Sequence, residues 1–133
     1  MDENVIKNPK LLAPLVLAYI GDSVYEVYVR NRIILEHPDM PAGKLHKQSI
    51  KFVSAKAQAN SILSIENILN DDETAIYKRG RNAKSATVPK NADVTQYRQA
   101  TGFEALIGYL YLCRQNERLA EIMEAAYNNS LNK

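Results

Sequence analysis

Apolar positions along the chain recur at spacings of three and four. No stretch alternates strictly between turn residues, and no hairpin dipeptide occurs, so helices are expected throughout. Asn8-Pro9 predicts a short opening turn. Pro14 suits the first position of a long helix reaching about Leu35, because its N–H would be unpaired there in any case. Leu15, Leu17, Ile20, Val24, Tyr25, Val27 and Tyr28 spread over much of that helix, which predicts burial on two sides, in a core and in a subunit interface. Gly21 within it gives up roughly 1 kcal/mol against alanine, a sign that another helix comes close. His37-Pro38 ends the helix and Pro41 starts a second, where Lys44, Lys47 and Lys51 share an exposed face while Leu45, Phe52 and Val53 turn inward. Ser54 is placed to cap a third helix through about Ile65. Asp71-Asp72-Glu73 open a short fourth, closed by Lys78-Arg79 with Gly80 just past its end. Residues 81–92 read as a loop. Asp93 is placed to cap a helix from Val94 to about Cys113. Asn116 starts the last, with Leu119, Ile122, Met123, Ala126 and Tyr127 at helical spacing. The pattern predicts an all-α fold, one domain spanning 1–133.

Composition supports that reading and adds exclusions. At 133 residues and 46% hydrophobic, the chain buries enough surface to fold without disulfides or structural metal. The single cysteine, Cys113, excludes an internal disulfide and a multi-cysteine zinc site, and reads as a small core hydrophobe. The longest apolar run, Leu11 to Ile20, is too short to span a membrane and holds Pro14. An acidic Met1-Asp2-Glu3-Asn4 start is unlike a secretion signal, so a cytoplasmic protein with no membrane partner is expected.

The net charge of +2 conceals an asymmetry. Lys78, Arg79, Arg81, Lys84, Lys90 and Arg98 face one acid, Asp93, giving 78–98 a net charge of +5 against −3 for the remainder. A second segment, Lys44 to Lys56, carries four lysines, His46 and no acid. Such runs are often only solvated faces. Here arginine and lysine mix with Gly, Asn, Ser and Thr, whose small size lets backbone N–H groups reach phosphates, so a polyanion footprint is a competing reading.

Two acids stand in unusual company. Asp22 falls inside Leu17-Ala18-Tyr19-Ile20-Gly21-Asp22-Ser23-Val24-Tyr25, and Glu104 inside Gly102-Phe103-Glu104-Ala105-Leu106-Ile107. A carboxylate in an apolar helix needs a cation, a donor or a metal. One reading pairs these acids with Arg30, Arg32 or a backbone amide. The other makes them hard oxygen ligands for Mg²⁺ or Mn²⁺, ions that serve phosphodiester hydrolysis.

The segments Leu17 to Glu26 and Phe103 to Leu112 resemble the two acidic helices of the ribonuclease III endonuclease domain. Leu45-His46-Lys47, Val53-Ser54-Ala55-Lys56 and the stretch Lys78 to Ser85 are similar to the Mini-ribonuclease III group of that family. The resemblance covers nearly the whole chain. It implies a homodimeric helical bundle that cuts double-stranded RNA using Mg²⁺, with Mn²⁺ as a substitute and no separate RNA-binding domain. Catalysis and metal binding would fall to Asp22 and Glu104, and Tyr19 would insert into the partner subunit. RNA would be gripped by Lys44, His46, Lys47, Lys56, Lys78, Arg79, Arg81, Asn82, Lys84, Ser85 and Lys90. The implied substrate is the 23S ribosomal RNA precursor, trimmed at both ends, with a ribosomal protein as accessory partner and no role for DNA. The wider family places four carboxylates at the metal site, but here Ala18 and Thr101 stand at two of those positions. That leaves two readings: a site completed by water, Thr101 or RNA phosphate, or a weak or inactive dimer that only binds structured RNA.

Overall fold

The computed structural model describes residues 5–84 and 88–130. Among them, all regular structure is helical: a 3₁₀ turn at Pro9–Leu11, then α1 (Pro14–Glu36), α2 (Ala42–Val53), α3 (Ala55–Ile65), a second 3₁₀ turn at Glu66–Ile68, α4 (Asp71–Asn82), α5 (Val94–Leu112) and α6 (Asn116–Asn129). Every helix expected from the apolar spacing is present.

Local chemistry sets the boundaries. Pro14 opens α1 as anticipated. The Ser54 side chain accepts from the Ala57 N–H at 3.2 Å and starts α3. Asp93 Oδ1 accepts from the Gln96 N–H at 3.0 Å and starts α5. Asn70 and Glu73 form a reciprocal capping box at α4, each side chain accepting from the other's backbone N–H. Burial works against charge on Glu73, but Arg118, bonded to both its oxygens at 2.8 Å, and the Asn70 amide outweigh it and hold the carboxyl below its ordinary range. One boundary differs from expectation. Gly80 does not end α4, which runs on to Asn82, and the loop begins after it. A Cβ on Gly80 would meet Ala105 Cβ and Gly102 Cα, both at 2.8 Å, so this glycine serves helix packing rather than a helix stop.

α5 is the hub. It packs against α1, α3, α4 and α6, which is why residues Gly102 to Leu110 are apolar all round apart from Glu104. Phe103 meets Tyr25 of α1 edge to face, with ring centroids 4.9 Å apart, and both side chains are fully buried. Ile62, Leu106, Ile107, Leu110 and Ile122 complete the centre. Ser61 Oγ donates to the Ala126 carbonyl at 3.0 Å and ties α3 to α6.

The crossing of α1 and α5 brings the two acidic segments together. A Cβ on Gly21 would land on the Glu104 carbonyl oxygen, and one on Gly108 would land on the Leu17 carbonyl. The two backbones therefore touch at reciprocal glycines, as Gly21 suggested for its side of the contact.

The other face of α1 is bare. Val16 (48% exposed), Tyr19 (79%) and Val27 (68%) point away from the core, while Leu17, Ala18, Gly21, Tyr25, Val29 and Ile33 are buried. The helix is apolar on two sides; the first packs into the core, and the second is exposed among the described residues.

Candidate active site

Asp22 lies on the α1 side of the glycine contact and Glu104 on the α5 side. Asp22 is exposed and Glu104 partly buried. Burial pushes the Glu104 carboxyl up to about 8, with the negative charge of Asp22 and the hydrogen bond between the two groups adding to it. The Glu104 carboxyl thus holds a proton near neutrality, because burial disfavours its charge and the nearby Asp22 carboxylate, across the α1–α5 seam, repels it. Such a seam is electrostatically suited to a cation, which would replace the proton and neutralise both oxygen sets.

The Gln58 side chain, on α3, acts on Glu104 in the opposite direction, favouring the charged carboxylate. Gln58 is 1% exposed; its Nε2 donates to the Val53 carbonyl at 3.2 Å, while its Oε1 has no donor. Sequence reasoning missed Gln58. In Ala55-Lys56-Ala57-Gln58-Ala59 a glutamine reads as ordinary helix surface, and only the packing of α3 on α5 reveals it as buried.

Among the described residues no third Asp, Glu, His or Cys joins the pair to make a larger ligand cluster. Ala18 is buried, and the Thr101 hydroxyl donates to the Tyr97 carbonyl at 3.0 Å. Thr101 also lines a cleft of about 300 Å³ with Gly80, Ala83, Lys84, Val88, Tyr97 and Arg98. Glu26, one turn beyond Asp22, is paired with Arg30 at 3.0 Å, which gives it a structural partner.

The basic candidates divide by what they touch. Lys44, His46 and Lys47 on α2 are exposed, as are Lys56 on α3, Lys78 and Asn82 on α4, and Lys84 and Lys90 beyond it. Arg79 is committed to the chain itself, donating to the Lys10 carbonyl at 2.9 Å and the Leu12 carbonyl at 3.1 Å. Arg81 donates to Asn82 Oδ1 at 3.1 Å and lies over the Tyr77 ring at 5.6 Å from its centroid. Ser85 lies outside the described residues. Cys113 is partly buried and burial raises its thiol, in keeping with an inert hydrophobe.

The ribonuclease III domain family matches residues 15–115, a span that contains both acidic segments and the basic stretch between them. A Mini-ribonuclease 3 from Clostridium tetani is 53% identical over 119 residues, covering 90% of this chain and 79% of its own. This chain belongs to the ribonuclease III family. Within it, the Mini-ribonuclease 3 of Brevibacillus brevis is 49% identical, covering 94% of this chain and 92% of its own, and that of Staphylococcus aureus is 47% identical over 125 residues. The fold agrees as well. A crystal structure of a protein from Fusobacterium nucleatum superposes with a TM-score of 0.82 at 29% identity, covering 95% of this chain and all of that one. Membership in the ribonuclease III family makes the protein an endoribonuclease of the Mini-ribonuclease 3 type. Among the described residues no helix is long and apolar enough to cross a membrane.

Proposed function

We propose that this endoribonuclease cleaves double-stranded RNA with a divalent metal ion held by Asp22 and Glu104. The observation that carries the reading is the α1–α5 glycine contact that brings the two acidic segments together, with Glu104 held up to about 8 by burial and by Asp22. The residues present fit such an ion: both are hard oxygen donors, and their mutual repulsion is relieved by a cation. Bound there, Mg²⁺ or Mn²⁺ would supply Lewis acidity, lowering the pKa of water and neutralising charge on the phosphate.

The chain's own residues do the rest. Glu104 would have to give up its proton for a cation to bind, and Asp22 and Glu104 supply the carboxylates from α1 and α5. The lysines of α2, Lys56 of α3 and Lys78, Arg81, Lys84 and Lys90 grip phosphates, so capture and cleavage reside in one domain. A-form RNA hides its base edges in a deep, narrow groove, so recognition proceeds by shape and 2′-OH contacts. The bare face of α1, with Tyr19 at its centre, is the surface on which a second copy would pack, and two-fold pairing would set one acid pair against each strand. Trimming of the 23S ribosomal RNA precursor in the cytoplasm, assisted by a ribosomal protein, is the substrate assignment that the family resemblance suggests.

Ala18 and Thr101, where the wider family carries carboxylates, favour a second reading as an RNA-binding dimer without turnover. Incubating a labelled RNA duplex with the protein and Mg²⁺ separates the two. The wild type is expected to cut, and Asp22→Asn to bind with cleavage reduced at least about 100-fold. Binding without cleavage under both Mg²⁺ and Mn²⁺ would sink the enzymatic reading.

A further inference from the structure

Between the end of α4 and the first two turns of α5 lies the cleft of about 300 Å³ that Thr101 helps to line. The close approach at Gly80 sets it. α4 rests directly on Gly102 and Ala105 of α5, which brings Lys84, just past the end of α4, to the same cleft as Arg98. Among the described residues the lining holds two cations, Lys84 and Arg98, and no carboxylate. A concave surface lined by one sign of charge focuses a potential that draws the opposite sign. Arg98 differs from the arginines around it. Arg30, Arg32 and Arg118 pair with carboxylates, Arg79 bonds to backbone carbonyls and Arg81 to Asn82. Among the described residues Arg98 has neither a hydrogen-bonding nor an ionic partner. Thr101 stands where the wider family carries a carboxylate, which would offset one of the two cations. The threonine hydroxyl donates to the Tyr97 carbonyl at 3.0 Å and leaves the cleft positive.

We propose that Arg98 and Lys84 form a phosphate subsite in this cleft, holding a backbone phosphate of the RNA strand next to the phosphate presented to Asp22 and Glu104. The inference rests on the reading of duplex-RNA cleavage above. Arg98, Thr101 and Glu104 follow one another at three-residue steps on α5, so Thr101 lies about 4.5 Å and Arg98 about 9 Å from the acid along the helix axis. A continuous strand that presents one phosphate to the acids can therefore lay a neighbouring one over the cleft. The planar guanidinium of Arg98 offers paired N–H donors to phosphate oxygens, and Lys84 adds a compact charge. A position that the wider family gives to a metal ligand thus borders an anion site here, and cations of the chain itself set the register of the strand.

The test neutralises phosphates one at a time. The cut position on a labelled RNA duplex is first located with wild type and Mg²⁺. Duplexes are then made with a single neutral methylphosphonate linkage at successive positions around the cut. Affinity for each is measured by fluorescence anisotropy in the full chain carrying Asp22→Asn, which binds without cutting. Arg98→Gln, Lys84→Gln and, as a control, Lys7→Gln in the exposed N-terminal segment are added to that parent. One linkage beside the cut should weaken the parent about tenfold, the size of a charged hydrogen-bonded contact. Arg98→Gln should weaken binding of the unmodified duplex by a similar factor, and the two losses should not add. Lys84→Gln should fall short of additivity at that same linkage, and Lys7→Gln should leave the parent's pattern unchanged. Additive losses for Arg98→Gln at every linkage would overturn the subsite and leave the cleavage reading intact. Coupling of Arg98 and Lys84 to linkages far apart on the strand would overturn it as well, since the two would then make separate contacts. Both side chains are exposed, so melting temperatures should match the parent's. If Arg98→Gln fails to fold, additivity in Lys84→Gln decides against the subsite. If wild type makes no cut with Mg²⁺ or Mn²⁺, the cleavage reading falls and the subsite with it.

Discussion

Replacing Glu104 with glutamine in the metal-free protein should stabilise it, and should do so only above mildly acidic pH. A carboxyl whose ordinary value is 4.5 is held up to about 8 in the folded chain. Between those values the folded state keeps a proton that the unfolded chain has lost, so stability falls as pH rises through the window. At about 1.4 kcal/mol per tenfold change in proton affinity, the gap sets a ceiling on the order of 5 kcal/mol. Asp22 is exposed and can swing toward water, which lowers the realised effect to roughly 2–4 kcal/mol, on the order of 10 °C in melting temperature for a chain this size. The assay is urea or thermal unfolding by circular dichroism in EDTA, at about pH 5, 7 and 9. Wild type should weaken steadily across the series while Glu104→Gln stays flatter, the two nearly meeting at the acid end. Adding Mg²⁺ at the alkaline end should recover wild type and leave the variant unmoved. Parallel pH profiles in EDTA would show that Glu104 is not held protonated by burial and Asp22, and would remove the electrostatic case for a cation at the seam.

Other expectations follow from the packing and the surface. Gly108→Ala would drive a methyl into the Leu17 carbonyl; overpacking commonly costs about 1–3 kcal/mol, and a backbone obstacle puts this substitution at or above the upper end, read from the urea midpoint. Tyr19→Ala removes a side chain that is 79% exposed in the single chain; sedimentation velocity should show a weaker dimer, and an equally tight one would take Tyr19 out of the interface. Changing Arg81, Lys84 and Lys90 together to glutamine should flatten the salt dependence of duplex-RNA binding by roughly 0.7–0.9 in the log–log slope per lost phosphate contact. An unchanged slope would place the RNA elsewhere.

The helices were legible because their apolar spacing is long and regular, and because Pro14, Ser54 and Asp93 are placed where the caps require them. Asp22 and Glu104 stood out for a related reason: a charge inside an apolar helix violates the local pattern, and the fold brings the two violations to one crossing. The pattern failed where meaning depended on a distant partner. Gly80 has the local look of a helix stop, yet its lack of a side chain answers to Gly102 and Ala105 of α5. Arg79 reads as one more phosphate-binding cation, yet its guanidinium is taken up by carbonyls at Lys10 and Leu12. Gln58 broke no local rule, so nothing in its neighbourhood announced that both ends of its amide would be buried.

The reciprocal glycine contact has a consequence for how this protein tolerates change. The separation of Asp22 from Glu104 is set where two main chains meet, not by the shapes of surrounding side chains. Substitutions among Ile62, Leu106 or Ile122 act on the interior away from that junction, so overall robustness and the alignment of this acid pair are separable. What inheritance must preserve at the junction is the absence of a methyl group at each of two positions. Alanine scanning of bulky residues would overlook such a determinant, and helix-stabilising redesign, which favours alanine over glycine, would erase it.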